Sequence, residues 1–167
     1  PFSQAWATLG QGLPRPNAIL VVSAHWMTRG TTLVDVSALP RTIHDFNGFP
    51  DALYAEHYPA QGHPELAREV VSLLASHRAE EDDTWGLDHG AWAVLKYLYP
   101  EADVPVFQVS IDMAQGLAHQ LETGQALSEL RDRGVLILGS GNIVHNLRRL
   151  SFDGNPEAFA LEFDDLV

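Results

Sequence analysis

The chain has 167 residues and carries 22 Asp+Glu against 10 Lys+Arg, a net charge of −12. That length suits one domain, and at this size folding hides roughly 70% of the surface an unfolded chain exposes, so a core can form without staples. Hydrophobic residues at 46% argue against a disordered chain, the acidic balance weighs against a phosphate-binding nucleic-acid surface, and the lack of cysteine excludes disulfides, thiolate nucleophiles and Cys-ligated clusters.

The apolar run Ala18-Ile19-Leu20-Val21-Val22-Ser23 reads as a strand buried on both faces, and it is far too short to cross a membrane. Residues 31–36 alternate more and suit a strand nearer an edge. From Pro64, positions Leu66, Val70, Leu73, Leu74 and His77 follow helical spacing, with proline in the first turn, where its missing N–H costs nothing. The acidic run 80–83 reads as a solvated loop. Ala91, Val94, Leu95 and Leu98 form a second helical stripe, stopped by Pro100. Residues 104–111 give a further strand. Beyond it, Leu117, Leu121, Gly124 and Leu130 are predicted to share the apolar face of a long helix that ends at Gly134. A strand over 135–138 runs into Gly139-Ser140-Gly141, and over 156–167 the residues Phe159, Phe163, Leu166 and Val167 form a stripe that needs a packing partner. This alternation predicts an α/β fold, with a central, largely parallel or mixed sheet covered by helices on both faces. No repeat or linker divides the chain. No leader sequence is read at its start, and a cysteine-free chain suits the cytoplasm.

With cysteine absent, any metal must be held by His, Asp or Glu, and eight histidines are present. Position relative to the strands sorts them, because open α/β sheets bind ligands beyond the carboxyl ends of their strands. His25 lies two residues past the first apolar run, and His145 follows another, in Gly139-Ser140-Gly141-Asn142-Ile143-Val144-His145. If the strands are parallel, both imidazoles reach one sheet edge and could ligate a metal. A strand-end histidine can equally serve a turn as a hydrogen-bonding group, so both readings stay open. His89 sits in Trp85-Gly86-Leu87-Asp88-His89-Gly90 at the head of a helix. A helix N-terminus is a poor place for a positive charge, so a neutral base or donor could be held there. The competing reading makes Asp88 the N-cap and His89 a bystander. His44 lies in a loop with Gly48 and Pro50, while His57, His63, His77 and His119 read as structural or solvated. There is no Walker loop and no GxSxG elbow. Gly139-Ser140-Gly141 lacks the third glycine of a dinucleotide turn, since Val144 stands there, so it reads as a tight turn near a ligand pocket.

Together, Leu13-Pro14-Arg15-Pro16, Ser23-Ala24-His25-Trp26, Thr42-Ile43-His44-Asp45-Phe46-Asn47-Gly48-Phe49-Pro50, Asp88-His89-Gly90 and Gly139 through Leu147 resemble the 4,5-DOPA-type extradiol dioxygenases. These belong to the class III, LigB-like ring-opening family. The resemblance implies a LigB-like single domain and a mononuclear non-haem metal, Fe(II) for catalysis with Zn(II) as an alternative occupant. It implies His25 and His145 as metal ligands, His89 as the acid/base residue and His44 as a pocket residue. The implied partners are a small-molecule catechol and O2, with no nucleic acid or membrane, and the implied product is a ring-opened semialdehyde acid. Two features of the family pattern are absent: an N-terminal His-Gly-x-Pro turn that carries another ligand, and a histidine near the C-terminus. Residues 1–167 are therefore expected to be a partial catalytic domain, apparently truncated at both ends, with two candidate ligands where a stable site usually wants three. Two other readings compete. One is a non-catalytic, Memo-like binding protein on the same scaffold. The other is a metal-dependent hydrolase, which needs a carboxylate beside the histidines, and only Asp45 and Asp88 are near candidates.

Overall fold

The computed structural model describes residues 2–141, 149 and 154–167. In chain order the elements begin with α1 (Phe2–Gly12), β1 (Ala18–Ser23), β2 (Met27–Thr28), β3 (Thr32–Asp35), α2 (Asp51–Tyr54) and α3 (Pro64–Leu73). They continue with β4 (Ala79–Asp82), α4 (His89–Leu98), β5 (Val106–Gln108) and β6 (Ile111–Asp112). Last come α5 (Leu117–Leu127), β7 (Val135–Ser140) and α6 (Ala158–Asp164). The main sheet has the order β5-β1-β7, parallel throughout, with Ile19 opposite Val106 on one side and Leu136 on the other. Two short parallel pairs, β2-β6 and β3-β4, extend the strand layer.

Strand β1 is apolar on both faces because both are covered. Ala18 and Leu20 join a core with Leu66 and Val70 of α3, Phe107 of β5 and Leu127 of α5. Ile19 and Val21 point the other way, into a second core with Trp92 and Leu95 of α4, Val106 and Tyr58. The period-two alternation of a strand thus divides one apolar run between two cores. The predicted α/β layering is borne out. Among the described residues, no helix is long and apolar enough to cross a membrane.

Four expectations need correction. The acidic stretch at 80–83 is no loop: Ala79–Asp82 form β4, paired in register with Thr32–Asp35. Its acidic side chains stay largely in water, and backbone pairing at a solvated edge leaves no hydrophobic trace in the sequence. Residues 104–111 give two strands: the Val109 amide still bonds Val21 O of β1, but the Ser110 amide turns to Leu33 O of β3 and the Ile111 amide to Trp26 O. Helix α5 turns a different face inward. Leu117 and Leu121 are 89% and 63% exposed, while Thr123 and Leu127 are buried. Leu130 is buried, but it belongs to a 3-10 turn over Ser128–Arg133, whose tighter winding breaks the 3.6-residue phase that linked it to Leu117. The predicted stop at Gly134 holds, with φ +77°. Finally, α6 covers only Ala158–Asp164 and leaves Phe163 and Leu166 exposed, with Arg149 lying 4.1 Å over the Phe159 ring.

Candidate functional site

The carboxyl end of β1 meets the amino end of α4, and the contact is made by buried polar groups. Ser23 Oγ donates to Asp88 Oδ1 at 2.7 Å and accepts the His25 amide at 3.2 Å. Asp88 is fully buried and caps α4 by accepting the Ala91 amide on the same oxygen, at 3.2 Å. Its Oδ2 accepts from Trp85 Nε1 at 3.1 Å and Gln108 Nε2 at 3.3 Å. One carboxylate therefore ties β1, β5 and α4 together. Gly90 makes the approach possible, since a Cβ there would run into Ser23 Oγ and come within 2.9 Å of the His25 ring.

This junction brings His25 and His89 together. Their ring centroids are 3.9 Å apart. Asp88 is indeed the N-cap, as one reading of the sequence had it, yet the cap is also what sets His89 opposite His25. A third group, Asp45, arrives from the loop before α2. Its Oδ1 accepts the His89 amide at 2.9 Å and lies 2.9 Å from His89 Nδ1, while Oδ2 lies 3.5 Å from His25 Nδ1. Burial alone would push the Asp45 carboxyl up, but the His89 amide and ring outweigh it and hold the group below the ordinary carboxylate range.

The donor set suits a divalent metal. Ligand atoms of His25, Asp45 and His89 lie within 4.8 Å of one another, and two imidazoles with a carboxylate are a combination found at non-haem iron. His89 Nδ1 is buried and not aligned for a hydrogen bond, although the carboxylate is near. Beside the cluster is a cavity of about 230 Å³ lined by Phe46, Phe49, Leu53, His89, Trp92 and Ala93. Its lining is almost wholly apolar apart from His89, and Phe46 meets the His89 ring edge-on at 5.4 Å.

Of the residues the sequence singles out, His25 and His89 are brought together. His44 stands behind the cavity wall, 5.8 Å from the Phe46 ring and 5.7 Å from Trp92, with Nε2 3.0 Å from Glu56 O. His145 lies outside the described residues. His63 caps α3, and His77 packs against His119 at 5.0 Å. Sequence reasoning weighed Asp45 only as a hydrolase carboxylate and missed its place between the two rings. Nothing local could have shown it, because the contact with His89 spans 44 positions.

A family model described as the catalytic LigB subunit of aromatic ring-opening dioxygenase matches residues 3–167. The chain is 48% identical over 169 residues to a 4,5-DOPA dioxygenase extradiol of Escherichia coli K12, covering 99% of this chain and 62% of that protein. It is 48% identical over 134 residues to a Beta vulgaris protein of the same name, covering 78% of this chain and 50% of the relative. A crystal structure of an uncharacterized protein from Escherichia coli K12 superposes with a TM-score of 0.83 at 42% identity, over 99% of this chain and 63% of the other. The chain thus spans between half and about three-fifths of the length of these proteins. Sequence match, structural match and the His-lined strand end agree: the chain belongs to the LigB family of aromatic ring-opening dioxygenases.

Proposed function

We propose that the protein carrying this chain is a metal-dependent extradiol dioxygenase that inserts O2 into a catechol, with a DOPA-like compound as the substrate class. The observation that carries this reading is the pairing of His25 and His89 at the mouth of an aromatic-lined cavity, in a chain of this family. A bound metal, Fe(II) for catalysis with Zn(II) also compatible with these donors, would supply open positions for two catechol oxygens and O2 and a path for electrons between them. His25 and His145 are the proposed protein ligands; Asp45 and His89 lie close enough to His25 to share a metal, but their contact with each other gives them roles beside it in this scheme.

In this scheme the chain's own groups do the rest. The flat apolar walls of Phe46 and Trp92 exclude water and orient a ring, with His44 bracing them from behind. His89 borders the cavity, so its imidazole is the group placed to take a catechol proton and later return one as the ring opens. A hydrolase reading would need a carboxylate free to activate water. Asp45 is the nearest, but its Oδ1 is already taken by the His89 amide and its Oδ2 faces His25.

The complete protein, loaded with Fe(II) without air and then exposed to O2 and DOPA, is expected to consume O2 and give a yellow ring-opened product. His89→Ala should slow turnover by about 10²–10⁴-fold, the range for a lost acid/base group, while metal content is retained. His25→Ala and His145→Ala should lose metal. No turnover across a panel of catechols by the iron-loaded protein would overturn the reading.

A further inference from the structure

Metal-binding imidazoles need their second nitrogen held, and the site contains one carboxylate placed to hold two of them. We propose that Asp45 is the positioning residue of this site: a single carboxylate that faces Nδ1 of both His25 and His89, keeps the ring proton on that nitrogen in each, and leaves Nε2 of each for a metal or a substrate proton. This rests on the roles given to His25 and His89 above.

The argument begins with contact distances. His89 Nδ1 lies 2.9 Å from a carboxylate oxygen, off the line of a hydrogen bond, and at that distance an N–H on the nitrogen is attracted where a lone pair is repelled. The same holds, more weakly, for His25 Nδ1 at 3.5 Å. One oxygen faces each ring, so the two tautomers are set by one group. Asp45 is itself fixed in place. The His89 amide donates to Oδ1, so the start of α4 holds the carboxylate by the main chain. The segment before it is zipped to the loop before α4: Leu87 N donates to Arg41 O at 2.8 Å, Ile43 N to Leu87 O at 2.7 Å, and Trp92 Nε1 to Ile43 O at 2.8 Å. A loop held this closely to α4 carries Asp45 to the same place whenever α4 is formed. Carboxylates in this position raise the basicity of a ligating imidazole and fix its orientation, and losing one typically weakens metal binding 10–100-fold.

The test reads tautomers and metal affinity instead of turnover. Long-range proton–nitrogen NMR of the metal-free complete protein, at a pH where the rings are neutral, is expected to show the Nδ1–H form at His25 and His89. Asp45→Ala should shift both rings toward the Nε2–H form and weaken Zn(II) binding, measured by competition with a chelator, by about 10–100-fold. Asp45→Asn keeps one oxygen to accept from the His89 amide and Nδ1–H but turns an NH2 toward His25 Nδ1, so it should retain the Nδ1–H form at His89, shift His25 toward Nε2–H, and fall between wild type and alanine in affinity. It also serves as the readable variant should alanine fail to fold. The role is overturned by an Nε2–H form at either ring in the wild type, by zinc ligation through Nδ1 of either ring, or by wild-type zinc affinity in folded Asp45→Ala. Should the tautomers and affinities come out as expected while no catechol is cleaved, the dioxygenase reading fails and this role for Asp45 stands.

Discussion

Asp88 illustrates how much of this site depends on a residue outside both the cavity lining and the His25, Asp45 and His89 cluster. Its two oxygens, themselves in a fully buried side chain, collect four donors, from Ser23, Ala91, Gln108 and the half-buried Trp85. A buried carboxylate is costly unless its lone pairs are met, and here they are. Replacing it by asparagine preserves shape but turns an amide NH2 toward a pair of donors, whichever way the group is flipped. Asp88→Asn is therefore expected to cost about 2–3 kcal/mol of stability, the range for lost hydrogen bonds to a charged group. Urea denaturation checks this, with a lower midpoint and an unchanged slope. A midpoint equal to wild type would mean that the four contacts contribute nothing and that the β1–α4 junction is held by packing alone.

Among the elements, α5 separates what the sequence can tell from what it cannot. Runs such as Ala18–Val22 are legible because each position packs in or against an apolar core, so burial and composition coincide. The α4 stripe is legible for the same reason, and His25 and His89 are legible because strand ends and helix starts carry sequence signals. Helix α5 offers leucines on more than one side, at 117, 121 and 127, and only tertiary contact decides which side packs. Asp45 is illegible in the same sense, since its partners lie far along the chain. The choice made by α5 can be measured. Leu127→Ala is expected to cost about 2–5 kcal/mol, as for other buried leucines, because Leu127 belongs to the core beneath α3. Leu121→Gln, on the face predicted from periodicity, should stay within about 0.5 kcal/mol of wild type. Thermal or urea melts of the two variants decide which face is inside, and a reversed order would restore the face read from the sequence.

At the scale of the whole molecule, one strand connects the two cores to the site. Because β1, β5 and β7 are parallel, their carboxyl ends lie on one edge, and the residues that follow β1 are delivered there together with the start of α4. That delivery is only as firm as the strand, and the strand is gripped from both sides by separate sets of side chains. In a sheet with one solvated face, two adjacent residues would differ sharply in importance, one packed and one in water. Here both Ile19 and Leu20 have no exposed surface, yet they sit in different cores, with α4 on one side and α3 on the other. Ile19→Ala and Leu20→Ala are thus each expected to destabilise the fold by about 2–5 kcal/mol, through lost burial plus a cavity that neither core can easily close. Urea midpoints of the two single variants are the measurement. A large loss for one and a negligible loss for the other would show that a single layer of helices carries the fold, and that the site rests on half the support described here.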